Sequence, residues 1–203
     1  MTDLDEEAGP IDGRVARRQR NIDAVLDVVL ELFAEEAMFP TIEQAANRSG
    51  LSLRSLYRYF ADPSELLEAT IKRSEQMAHK EARLSSIGQG SLAERIDAFV
   101  EMRLRIHDRF GPVFRATIAN AMRHPRVADE LAKNRRQMRE QLALQFDPEL
   151  SLLNPSDRKA VEAAGEALTN PESIDLLARS RGISRDEIHR ALTAGLRALF
   201  SAH

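Results

Sequence analysis

Two groups of side chains in this chain are suited to holding anions. Arg14, Arg17, Arg18 and Arg20 crowd into the stretch "RVARRQR". Farther on, "SLRSLYRY" gathers Ser52, Leu53, Arg54, Ser55, Tyr57, Arg58 and Tyr59. A guanidinium pairs with phosphate oxygens and can take both acceptors of a guanine edge, and a hydroxyl can bond either. Positive charge at a helix start opposes the helix dipole, so a phosphate partner accounts for the first cluster better than solvent does. Such an arm can follow a nucleic-acid backbone or enter a minor groove. This is the chemistry of recognition. For catalysis the sequence offers no converging set. It has no cysteine, which removes thiol nucleophiles, disulfides and cysteine-ligated metals. The five histidines show no metal-ligand spacing, and His107 beside Asp108 is no pair, since helix neighbours point about 100° apart. There is no P-loop, GxGxxG or HExxH. No enzyme activity, metal or cofactor is expected.

The elements that must carry these groups are all helical. Ile22, Val25, Leu26, Val29, Leu30 and Phe33 recur at spacings of three and four, and the segment ends over Ala37 to Pro40. Thr41 and Gln44 fit a capping box for a short helix from Ile42 to about Arg48. Ser49-Gly50 breaks it, and Ser52 caps a third helix through Tyr59. Asp62-Pro63-Ser64-Glu65 opens a fourth, expected to run to about Arg83. Breaks are expected at Gly111-Pro112, His124-Pro125, Asn154-Pro155, Asn170-Pro171 and Gly182. No strand alternation and no repeat is visible, so the fold class is all-α. The acidic start, "MTDLDEEAGPIDG", has no apolar core and reads as a disordered leader over residues 1–13. No apolar run nears the roughly 20 residues of a membrane span.

A long helix followed by two short ones across a tight turn makes the parts of a helix-turn-helix. Ala45 and Ala46 are small enough for close crossing, and Ile42, Leu51 and Leu56 can form a small core. The outer face of the second short helix then presents Leu53, Arg54, Ser55 and Arg58, and such a helix fits a major groove. In its order of residues, "TIEQAANRSGLSLRSLYRYFADPSELL" resembles the tetracycline-repressor (TetR) family of bacterial transcription regulators. A threonine opens the second helix, then come Ala-x-x-x-Gly, Ser, Leu-Tyr-x-x-Phe and an acidic Leu-Leu helix. The likeness covers about Arg18 to Leu67. It implies DNA contacts from this region, with Thr41, Ser52 and Tyr57 among them and Tyr59 beside them. The sequence departs from the family at Ala37-Met38, where a glycine and an aromatic are usual. It departs again at Pro63, which replaces a phosphate-touching lysine and offers neither charge nor N–H. Leu53 and Arg54 are also unusual at their positions.

The family joins two subunits through two C-terminal helices of each. The matching segments here are "AVEAAGEAL", with Val161, Ala164, Gly165 and Leu168, and "EIHRALTAGLRALF", with Ile188, Leu192, Gly195, Leu196 and Leu199. Phe99, Met102, Arg103, His107, Phe114 and Ile118 cluster about the Gly111-Pro112 break and are expected to border one mostly apolar cavity for a small molecule. Arg103, if inward, would favour an anionic group on it.

These observations give an N-terminal helix-turn-helix domain over residues 14–62 and a helical dimerisation and effector domain over residues 63–203. The expected function is a cytoplasmic, homodimeric, ligand-responsive repressor on a near-palindromic double-stranded operator, with no membrane partner. A helical enzyme or small-molecule carrier whose N-terminal helices do not touch DNA is the alternative.

Overall fold

The computed structural model describes residues 10–36 and 40–201. The acidic residues 1–9 and the Ala37-Met38 departure lie outside the described residues. The described residues are helical, with no strand among them. None of their helices is long and apolar enough to cross a membrane. The chain divides into two compact units, Met1–Arg73 and Ser74–His203.

In the first unit α1 spans Pro10–Glu36, α2 Ile42–Ser49, α3 Leu53–Tyr59, and α4 starts at Pro63 and continues to Glu81. The expected start at Arg14 is thus four residues late: Pro10 through Gly13 are already helical, and Pro10 suits a first helical position because its missing N–H is not needed there. Local chemistry sets the other boundaries. Thr41 and Gln44 form the reciprocal capping box. Gly50 ends α2 at φ 70°, a left-handed turn that a side chain would strain. Ser52 accepts from the Ser55 amide, and Asp62 accepts from the Glu65 amide at 2.9 Å. Val25, Val29, Phe33, Ile42, Ala45, Leu56 and Phe60 are closed to solvent and make the small core. This unit extends past Asp62 to Arg73. Leu66, Leu67 and Ile71 of α4 are buried, and Arg73 binds both oxygens of Asp27 on α1 at 3.1 and 3.2 Å.

The second unit holds the rest of α4 and α5 (Leu92–Ala121), α6 (Pro125–Gln145), α7 (Asp147–Leu150), α8 (Pro155–Thr169), α9 (Pro171–Asp175) and α10 (Arg185–Ser201). A single π-helical turn, Leu176–Ser180, follows α9. The Asn-Pro pairs work as read: Asn154 and Asn170 cap α8 and α9, each with proline in the first position. The Gly111-Pro112 break does not occur, because α5 runs straight through it. Proline removes one hydrogen bond and crowds the Cβ of the residue before it, but that residue is a glycine. Phe110, Val113 and Thr117 are buried on both sides of Pro112, and that burial favours a continuous helix. Phe99 packs edge-on to Phe146, and Phe146 stacks on Phe200, with centroids 5.3 and 4.3 Å apart.

Glu75 of α4 lies beside Glu130 of α6. Burial, and then the neighbouring carboxylate, push its pKa up to about 7, against a weaker pull from Lys133. Between the ordinary carboxyl range and about 7 the folded chain holds a proton that the unfolded chain has released. Stability should therefore fall as pH rises through that window and level off above it. Glu75→Gln should flatten the decline in melting temperature between about pH 5 and pH 7.5. A wild-type melting temperature constant over that range would contradict the pairing.

Candidate nucleic-acid interface

The exposed face of α3 is built from both ends. At its start the Ser52 and Ser55 hydroxyls bond each other at 2.9 Å. Leu56 is fully buried, which turns Leu53, Arg54, Tyr57 and Arg58 outward. Leu53 and Tyr57 are 40% and 47% exposed, so both are open to a partner on this face. Arg54 is exposed and has no ion pair among the described residues. Thr41 and Ser52 spend their hydroxyls on caps, though a hydroxyl retains a proton to donate.

Tyr59 differs from the expectation. It is 9% exposed and is no surface group. One turn after Leu56 on the same helical face, it turns inward, and its hydroxyl accepts from Asn21 of α1 at 3.3 Å. That bond, and then Arg58, hold its pKa below the usual tyrosine value. Its ring carries the Arg18 and Arg58 guanidiniums, 5.8 and 5.4 Å from the centroid. Tyr59 thus holds a cation from each of two helices within about 6 Å of one ring. Arg14, Arg17 and Arg18 are exposed and follow one face of α1 at spacings of three and one. They form no extended arm, because this segment is helical. Through Tyr59 that face joins the face of α3, which gives a basic strip able to hold a polyanion while Arg54 projects beside it.

The second unit splits the expected cavity. Phe99 and Met102 are 0% and 1% exposed and belong to the core. His107, Phe114 and Ile118 line a cleft of about 250 Å³ between α5, α9 and the π-helical turn. Asp175, which sequence reasoning missed, sits in it, 2.6 Å from Arg115 and 3.4 Å from His107. Arg103 lines a second cleft of about 390 Å³ between α5, α6, α8 and α9. It is 5% exposed, and burial lowers its pKa to about 9, which still leaves it charged at neutral pH. Among the described residues no group of three or more histidines and carboxylates could hold a metal.

The expected interface residues are also redistributed. Val161, Gly165, Ile188, Leu192 and Leu196 are buried within one chain, so a second subunit cannot reach them. Gly165 lies against Leu142 and Leu199, and Gly195 against Leu168, so these glycines let helices of the same chain approach. Ala164, Leu168, Gly195 and Leu199 are half-buried along the α8–α10 seam. Ala160, Ala191, Ala194 and Ala198 are exposed beside it.

No family model matches the chain. Its sequence is 36% identical over 87 residues to the HTH-type transcriptional regulator BetI of Escherichia coli, which is 42% of this chain and 43% of that protein. The BetI of Klebsiella pneumoniae is 36% identical over 86 residues. The aligned part thus spans less than half of these curated relatives. Among solved structures, a TetR-family transcriptional regulator from Streptomyces coelicolor superposes with a TM-score of 0.74 at 21% identity, over 91% of this chain and 82% of its own. A transcriptional regulator from Rhodococcus superposes with a TM-score of 0.71 at 16% identity, over 91% and 96%.

Proposed function

From the TetR-family fold, which this chain has, we propose that the protein is a DNA-binding transcriptional regulator that acts as a ligand-responsive, homodimeric repressor. The observation that carries the reading is the Tyr59 ring. It ties Arg18 of α1 and Arg58 of α3, both exposed, to one ring, and Arg54, exposed and without an ion pair among the described residues, lies one turn before Arg58 on α3. In this reading α3 enters a major groove and Arg54 reads a base, while Arg14, Arg17 and Arg18 follow phosphates. Ser52, Ser55, Leu53 and Tyr57 complete the contact, and two copies related by a two-fold axis read a near-palindromic operator.

A titration of the protein on fluorescently labelled DNA from upstream of its own gene, at several salt concentrations, tests this. Arg54→Ala should lose about 1–3 kcal/mol on the operator and relax preference at one base position in each half-site. Alanine at Arg14, Arg17 and Arg18 together should weaken binding to every sequence. It should also flatten the salt dependence by roughly 0.9 per phosphate contact removed. An Arg54→Ala loss equal on all sequences would make Arg54 a phosphate contact. A wild-type protein with no salt-dependent DNA binding would leave the fold serving another role.

The face that supports dimerisation is the exposed alanine strip of Ala160, Ala191, Ala194 and Ala198 with the half-buried Ala164. Small side chains let helices from two copies approach closely, and α8 and α10 of each would make four. A small molecule in the second unit would regulate by binding one conformation better than the other.

A further inference from the structure

We propose that the cleft between α5, α6, α8 and α9 binds a small organic monoanion, with its carboxylate on Arg103 and its apolar body against Met138, Leu142, Ala163 and Ala167. The charges inside the cleft single out this arginine. Three arginines and two glutamates line it. Arg135 pairs with Glu172 at 2.5 Å and Arg139 with Glu166 at 3.3 Å, so the two rim arginines are already neutralised. Arg103 is left over. No carboxylate lies within ion-pair reach of it among the described residues. Among the described residues its one hydrogen bond runs from Nη2 to the Met138 carbonyl at 2.9 Å, and Nε has no partner. The Phe99 ring, 4.6 Å from the guanidinium, supports the charge without cancelling it.

A buried cation without a counter-ion is costly, and a carboxylate brought from outside would relieve that cost through charge-assisted bonds. The uncompensated charge is single, so a monoanion balances it and a dianion does not. The cleft, about 390 Å³ with an apolar patch of Met138, Leu142, Ala163 and Ala167 beside its charged rim, suits a compact molecule and is too small for a macromolecular segment. The other cleft carries no such vacancy, because Asp175 already answers Arg115 and His107.

That this anion is the regulatory ligand rests on the reading of the protein as a ligand-responsive regulator; the site itself rests on Arg103. The experiment uses the full chain and reads thermal shift and calorimetry. The probes are straight-chain carboxylates from butanoate to decanoate and benzoate, with the matching amides and phenyl phosphate beside them. At least one carboxylate should raise the melting temperature while its amide does not. Arg103→Met, checked for native helical content, should weaken that binding at least tenfold, whereas Arg103→Lys should keep part of it. Ala167→Trp should block binding by filling the cleft with Arg103 still in place. The proposal is overturned if no carboxylate exceeds its amide, if Arg103→Met binds as well as wild type, or if Arg103→Met simply unfolds while Ala167→Trp binds normally. Phenyl phosphate bound tighter than benzoate would overturn the monoanion assignment. Operator affinity is read separately: a carboxylate that binds without changing it supports the site and removes the regulatory role.

Discussion

Glu149→Ala should destabilise the C-terminal unit by about 3–5 kcal/mol, the range found when one partner of a buried ion pair is removed. Arg95 is 4% exposed at the start of α5, and Glu149 of α7 is its only carboxylate partner among the described residues. Nη1 donates to Oε2 at 2.7 Å and to the Gln145 carbonyl at 3.1 Å, and Nη2 donates to the other carboxylate oxygen. The grip is two-pronged and ties α5 to the turn after α6. Nε already lacks a partner, so losing the carboxylate would strand a buried cation with one backbone acceptor. The mechanism has a distinguishing mark. Arg95→Met combined with Glu149→Leu should recover most of the loss, because an apolar pair of similar size carries no desolvation cost. Denaturant unfolding of the wild type, the single variant and the double variant decides it. A single variant within about 1 kcal/mol of wild type would show that the pair is solvent-screened.

The comparison of Arg95 with Arg103 shows where sequence stops informing. Both lie on α5 and both are buried, and nothing adjacent in the chain distinguishes them. Arg95 finds its carboxylate 54 residues away, and Arg103 finds none among the described residues. Ion-pair partners come from the tertiary arrangement, so the vacancy at Arg103 could be read only from the fold. By contrast, the α2–α3 turn was legible down to its caps, because Thr41, Gln44, Gly50 and Ser52 act on backbone atoms within three residues of themselves. Pro112 was misread for the opposite reason. Local chemistry there favours a break, but the apolar face of α5 buries on both sides of it and keeps the helix whole. Tyr59 and the α8–α10 seam share a third cause. A spacing of three and four identifies an apolar face without telling what covers it. For Val161, Ile188 and Leu192 the cover is the chain's own core.

That reassignment changes the test of assembly. A charge placed at Gly195 within the seam would not test it, because a Cβ there would already meet Leu168 at 3.3 Å and disturb packing within one chain. Ala191 and Ala198 are exposed and open no cavity when replaced. Ala191→Glu with Ala198→Glu should leave the helical content and melting behaviour of the single chain intact. Two copies meeting on this strip would have to bury four carboxylates about their two-fold axis without partners, at a cost of several kcal/mol. The variant should therefore sediment as a monomer. Its operator affinity should fall by about 10²–10⁴-fold, because the second recognition helix is no longer held near its half-site by the first. Binding to a single half-site should be unchanged, since α1 and α3 are untouched, and this separates loss of assembly from loss of contact. A double variant that sediments as a stable dimer would place the subunit interface on another face of the second unit. A monomer that still holds the full operator at wild-type affinity would show that one copy supplies all the contacts, and the two-fold reading of the operator would fail.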